Sequence, residues 1–239
     1  MKILVTGAAK RIGATVVKYL AEKGHRCVIH CNRSLEQAQE LRESLPNPGQ
    51  HEIIKADLTD PEQRRSLFKK PFDVLVNNAS QYIKVSLEDA QSDILLNAYD
   101  VNFFMHFEMM RLFHQICKKG QIINILDHRI DHPDPRSGPY AFAKKSLRDA
   151  TLACAIQWAP DIRTNAIAPG FVLPPDGVPL EKMDRLVQGT PGKIAPTPED
   201  TAKTVDFLIA MPAINGQVIY LDSGMHLIAP CSTTQLEKF

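Results

Sequence analysis

Cysteine is scarce in this chain, and the few present do not pair. Cys27, Cys31, Cys117, Cys154 and Cys231 are scattered, odd in number and without C-x-x-C spacing. That argues against a disulfide framework or a zinc site and reads as reduced thiols in a cytoplasmic protein. No apolar run is long enough to span a bilayer, and the opening run Ile3-Leu4-Val5 is too short for a signal-peptide core. A charge excess is missing too. The 28 Lys and Arg nearly cancel the 27 Asp and Glu, leaving a net +1 and no footprint for nucleic acid or an anionic membrane. Internal repeats and low-complexity linkers are absent. What remains, 239 residues with 44% hydrophobic and 23% charged content, fits one α/β domain with a sizeable core. That domain is expected over 1–230, with a flexible tail at 231–239.

Apolar runs alternate with helical patterns. Strands are expected at Ile3–Thr6, Cys27–His30, Ile53–Ala56, Val74–Asn77, Ile122–Leu126, Thr164–Ala168 and Val218–Leu221. Between the first two, Ile12, Val16, Val17, Leu20 and Ala21 recur at helical spacing, and Gly24 stands where a glycine ends a helix. Such alternation predicts a doubly wound parallel sheet with helices on both faces. The proline-rich stretch from Pro169 to Pro198, with an amphipathic segment from Leu180 to Val187, follows a strand end and reads as a substrate loop at about 171–195.

The turn Thr6-Gly7-Ala8-Ala9-Lys10-Arg11-Ile12-Gly13 leaves the first strand and opens the first helix. Gly7 allows the tight turn, Gly13 allows close packing, and the helix amides face a pyrophosphate. The second strand ends His30-Cys31-Asn32-Arg33-Ser34, without the acidic residue that would hold the ribose hydroxyls of NAD. A guanidinium at Arg33 and a hydroxyl at Ser34 suit a 2′-phosphate, so the expected cofactor is NADP(H). Asp57, with Leu58 after the third strand, is placed for adenine, or else is a turn or N-cap aspartate.

Tyr140 and Lys144 stand one helical turn apart, which puts phenol and ammonium on one face. The ammonium is expected to lower the phenol's pKa so that it exchanges protons near neutrality. Asp127 lies thirteen residues before the tyrosine. An ionised carboxylate cannot donate to the oxyanion of a reduced ketone, and fits a substrate that presents N–H groups. Capping a helix or pairing with Arg129 are its alternatives. His128 and His132 lack a third ligand at metal spacing and are expected to be solvated.

Together these residues resemble a short-chain dehydrogenase/reductase from Thr6 to Gly224. Besides the turn and the Tyr140/Lys144 pair, the marks are Asn77-Asn78-Ala79, Asn102, Asn165 with Pro169-Gly170, and Gly216-Gln217-Val218-Ile219 with Asp222-Ser223-Gly224. The resemblance implies a seven-stranded Rossmann-like sheet of order 3-2-1-4-5-6-7 and commonly a tetramer. Arg11 in place of the middle glycine and Asp127 in place of a serine are similar to the pteridine reductase branch, which includes dihydromonapterin and dihydrofolate reductases. In that branch His30 through Ser34 form the 2′-phosphate turn, and Ser80 and Tyr82 supply a serine and a stacking aromatic for the pterin. Core packing is the other reading of Tyr82.

The resemblance further implies that Ile12, Asn78, Ala79, Ser80, Pro169, Gly170 and Val172 line the cofactor. Lys144 would hold the nicotinamide ribose, and Asn102 a water near it, unless Asn102 is only hydrogen-bonded locally. Arg11 would meet both phosphates and substrate. The expected function is NADPH-dependent reduction of a dihydropterin or dihydrofolate C=N bond by Asp127, Tyr140 and Lys144. A carbonyl reductase for 3-oxoacyl thioesters or small ketones, and a non-catalytic NADP-binding regulator, are the alternatives.

Overall fold

A computed structural model describes residues 1–174 and 179–228. The expected tail, and positions 175–178 of the substrate loop, lie outside the described residues. Seven strands form one parallel sheet: β1 Lys2–Val5, β2 Arg26–Cys31, β3 Glu52–Lys55, β4 Val74–Asn77, β5 Gly120–Ile125, β6 Ile162–Pro169 and β7 Val218–Leu221. Their spatial order is β3-β2-β1-β4-β5-β6-β7, as the resemblance implied. The order reverses between β1 and β4, where open α/β sheets form a ligand crevice at the carboxyl ends of their strands.

Alternation along each strand feeds two cores. Ile3, Val5, Val74 and Val76 point to one face, against α1 (Arg11–Glu22), α2 (Leu35–Ser44) and α8 (Pro198–Ala210). Leu4, Leu75 and Ile122 point to the other, against α5 (Met105–Cys117) and α6 (Gly138–Gln157). Helix ends follow local chemistry. After α1, Gly24 at φ +83° lets its own amide reach the Ala21 carbonyl and that of His25 reach Leu20, the paired bonds of a Schellman stop. Asp60 caps α3 (Pro61–Ser66), and Thr197 with Asp200 forms a capping box on α8. Helix α4 (Ser92–Tyr99) runs into α5 through a π-helical turn at Asp100–Phe104. The amphipathic segment of the substrate loop forms α7, Leu180–Gln188.

Candidate active site

The turn between β1 and α1 is built for close approach. Gly7 has φ +60°, and a Cβ there would lie 2.8 Å from Ala79 Cα. Arg11 holds φ +54° at the position of the absent middle glycine, a left-handed conformation that costs a side chain about 1 kcal/mol or more. Its Nη2 donates to the Pro174 carbonyl at 2.8 Å, so it ties the turn to the loop that leaves β6. The N-cap residue Lys10 makes no side-chain capping bond and no acidic residue lies in the first turn of α1, which leaves these amides suited to a phosphate. Asn78 Nδ2 braces the turn through the Thr6 and Gly7 carbonyls, at 2.9 and 3.1 Å.

His30 sits behind this turn rather than on its surface. Its Nδ1 accepts from the Gly7 amide at 3.1 Å and its Nε2 donates to the Ala56 carbonyl at 3.0 Å. Burial pushes its pKa down to about 4, so the ring is neutral and both nitrogens are spent on backbone. Asn32 and Arg33 are exposed, and Ser34 opens α2 without capping it. The Asp57 carboxylate accepts from the Thr59 amide and hydroxyl, the turn role that the sequence left open. Leu58 is buried beneath it.

The sheet's crevice holds a cleft of about 160 Å³. Its walls include Arg11, Ile12, Asn78, Ser80, Asp127, Tyr140, Lys144, Pro169, Gly170 and Val172, all of them expected site residues. Leu173 belongs to the expected substrate loop; sequence reasoning missed Ile125 and Leu126, which carry only apolar or backbone signals.

Asp127 lies two residues past the end of β5, and α6 brings Tyr140 and Lys144 over it. The Tyr140 hydroxyl donates to Asp127 Oδ2 at 3.1 Å. Lys144 Nζ donates to the Ile125 carbonyl at 2.8 Å and lies 5.8 Å from the Tyr140 ring centroid. The expected lowering of the Tyr140 pKa is therefore reversed. Burial and then the Asp127 charge push it well above the ordinary phenol value, and Lys144 does not make up the difference. Burial lowers the Lys144 pKa to about 8, against the opposing pull of Asp127. For Asp127, burial works to raise the pKa, but Arg129, His128, the Arg129 amide and Lys144 outweigh it and hold the carboxyl below its usual range.

Both alternatives for Asp127, capping the turn that follows it and pairing with Arg129, are seen. It faces Tyr140, and it also accepts from the Arg129 amide at 2.9 Å and from Arg129 Nη1. His128 is a correction to the sequence reading: it is buried, not solvated, with Nδ1 3.2 Å from Asp127 Oδ1 and its ring edge-on to Phe171.

Tyr82 is half exposed. Its ring meets Tyr140 edge to face at 5.1 Å and carries the Arg129 guanidinium at 5.2 Å, and its hydroxyl pairs with Ser137 at 2.9 Å. The π-helical turn holds Asn102 fully buried behind Ser80. There its oxygen accepts from Ser80 Oγ and the Gln81 amide, while its nitrogen donates to the Gln81 and Ala98 carbonyls. Its side-chain amide is thus fully engaged locally.

Residues 1–183 match the family model described as short chain dehydrogenase. Among solved structures, FolM alternative dihydrofolate reductase 1 from Brucella suis, in complex with NADP, is 31% identical with a TM-score of 0.91 over 97% of each chain. The FolM alternative dihydrofolate reductase 1 from Brucella canis, complexed with NADP, is 32% identical with a TM-score of 0.89, over 97% of this chain and 96% of its own. The 3-oxoacyl-[acyl-carrier-protein] reductase FabG of Staphylococcus aureus is 26% identical over 94% of this chain and 97% of its own. The family match reaches from β1 into α7, well over half of the chain, and on that ground the chain belongs to the short-chain dehydrogenase family.

Proposed function

We propose that this protein is an NADPH-dependent reductase of a dihydropterin or dihydrofolate C=N bond. The observation that carries the reading is Asp127, an ionised acceptor beside Tyr140 at a position where ketone chemistry calls for a donor. A carboxylate there repels the oxyanion of a reduced ketone and attracts the amino and lactam N–H groups of a pterin. When bound, NADPH supplies the hydride that adds to the C=N carbon. Tyr140 gives its hydroxyl proton to the ring nitrogen, so the bond gains one hydride and one proton. Burial and Asp127 keep Tyr140 protonated before that step, and Lys144, with a pKa of about 8, returns a proton after it. Tyr82 offers a flat face to the pterin, and Arg11 reaches the phosphates and the ring's carbonyl edge.

Arg33 and Ser34, with no acidic neighbour at the end of β2, favour the 2′-phosphate of NADP(H). The NADP held by both Brucella relatives, and their names as alternative dihydrofolate reductases, support the same reading. Reduction of a 3-oxoacyl thioester is the second reading, favoured by the name of the Staphylococcus relative. The proposal includes a cytoplasmic homotetramer. Among the described residues no helix is long and apolar enough to cross a membrane.

The test is NADPH oxidation with a dihydropterin, dihydrofolate and a ketone panel, repeated with NADH and with Asp127→Ser. Pterin or folate turnover is expected. So are a preference for NADPH of about tenfold or more and a loss of about tenfold or more in the variant. Ketone turnover alone would transfer the reading to the thioester alternative. NADPH binding without any turnover would make the protein a non-catalytic NADP-binding regulator.

A further inference from the structure

A carboxylate offers about four acceptor positions, two on each oxygen. At Asp127 all four are filled, and Arg129 fills three of them. Its main-chain amide donates to Oδ1 at 2.9 Å, and its Nη1 reaches Oδ1 at 3.1 Å and Oδ2 at 2.9 Å. The fourth belongs to the Tyr140 hydroxyl, on Oδ2. Arg129 is itself anchored, since its Nε lies 2.9 Å from Asp134 Oδ2 and its guanidinium covers Tyr82.

We propose that Arg129 is the positioning residue of this site. Held by Asp134, it fixes the Asp127 carboxylate and leaves one acceptor position, on Oδ2, which the Tyr140 hydroxyl and an incoming substrate N–H exchange. This rests on the pterin reading. A substrate that brings an N–H group to Oδ2 takes over the bond that Tyr140 made, and the phenol's O–H is released toward the atom to be protonated. A simple ketone brings no such donor and leaves Tyr140 bonded to Asp127. Selection for N–H substrates thus follows from the count of lone pairs as well as from the sign of the charge.

The groups that act on Asp127 come from several elements. Arg129 and His128 stand on its own turn, and Tyr140 and Lys144 come from α6. Asp222, after β7, acts on His128, while Asp134 and Tyr82 act on Arg129. His128 Nδ1 is close to Oδ1 but does not reach hydrogen-bond geometry. Arg129 is thus the one cation on this list that donates to the carboxylate, and its removal exposes Asp127 to the burial that favours the neutral acid.

The experiment compares wild type with Arg129→Gln, Arg129→Lys and Asp134→Asn. In Arg129→Gln the acid limb of the kcat/KM profile for a dihydropterin should move up by about one pH unit or more. Its kcat should fall about tenfold or more, while NADPH affinity by fluorescence titration stays within about twofold of wild type. Arg129→Lys, which keeps the charge, should recover part of the limb position. A lower kcat with an unmoved acid limb would overturn the proposal, because lost packing alone gives that result. If Arg129→Gln does not fold, Asp134→Asn carries the same test, with a smaller shift in the same direction. A carbon-13 carboxyl titration of Asp127 separates this inference from the pterin reading. If wild type reduces only ketones, the pterin reading falls, yet the Asp127 titration must still rise in Arg129→Gln. An unchanged titration removes Arg129 from its role whatever the substrate.

Discussion

Around Tyr140 the nearest charge decides. Asp127 accepts a hydrogen bond from the phenol at 3.1 Å, while the Lys144 ammonium is turned to the Ile125 carbonyl. The phenol therefore stays neutral through physiological pH, and Lys144 becomes the group that titrates first on the alkaline side. Its folded pKa is depressed to about 8, so the ammonium is present below that pH and lost above it. Activity should follow the same direction: kcat/KM is expected to hold near neutrality and to fall above pH 8, with slope −1. A profile measured from pH 6 to 10 checks this, and a plateau to pH 10 would remove Lys144 from the rate. The Tyr140 and Lys144 geometry was legible in sequence because helical periodicity dictates which residues share a face. Their electrostatics were not, because they depend on a non-repetitive turn that folds Arg129 and His128 back onto Asp127. The contacts of His30 were hidden for a related reason. Its place at the end of β2 was clear, but its two backbone partners, Gly7 and Ala56, come from segments 23 and 26 residues away.

Elements were more legible than contacts. Buried parallel strands leave continuous apolar runs, and all seven expected strands overlap observed ones, with ends shifted by two residues or fewer. Strand ends depend on pairing register, which one chain segment does not encode alone. The π-helical turn before α5 left no mark in the sequence, since nothing in its composition distinguishes it from a helix with a polar residue. The β1–α1 turn is the element whose geometry tolerates least. A Cβ on Gly13 would lie 2.5 Å from the Gly7 carbonyl and 2.6 Å from Asn78 Nδ2, the group that braces the turn. The Gly7 carbonyl cannot yield without moving backbone, and Asn78 cannot without giving up the bonds that brace the turn. Gly13→Ala should cost about 1–3 kcal/mol by urea unfolding, the usual range for overpacking, and weaken NADPH binding as the amides move. Unchanged stability together with unchanged affinity would show that helix and strand have slack that these distances deny.

At the scale of the whole molecule, the sheet buries both faces and places the cleft at its carboxyl edge, leaving the outer surfaces of the helices to solvent. Helices α4 and α6 leave large apolar side chains there: Leu96 is 67% exposed, Phe104 in the adjoining turn 50%, and Ile156 83%. Phe142, Leu152 and Ile156 recur along α6 at spacings that share one face. Single exposed leucines are ordinary, but a helical stripe of this kind is not neutral toward water. A second copy of the chain would cover it in the proposed homotetramer. Light scattering should then give four times the mass of one chain, and Ile156→Glu should shift the protein toward smaller species. An 83% exposed side chain contributes little to the fold of one subunit, so a charge there is expected to change its stability by no more than about 0.5 kcal/mol. The substitution therefore separates assembly from folding. A variant with unaltered thermal unfolding and reduced mass places the interface on α6. A single-chain mass in the wild type would mean that this stripe faces water and that the tetramer implied by the family resemblance does not form.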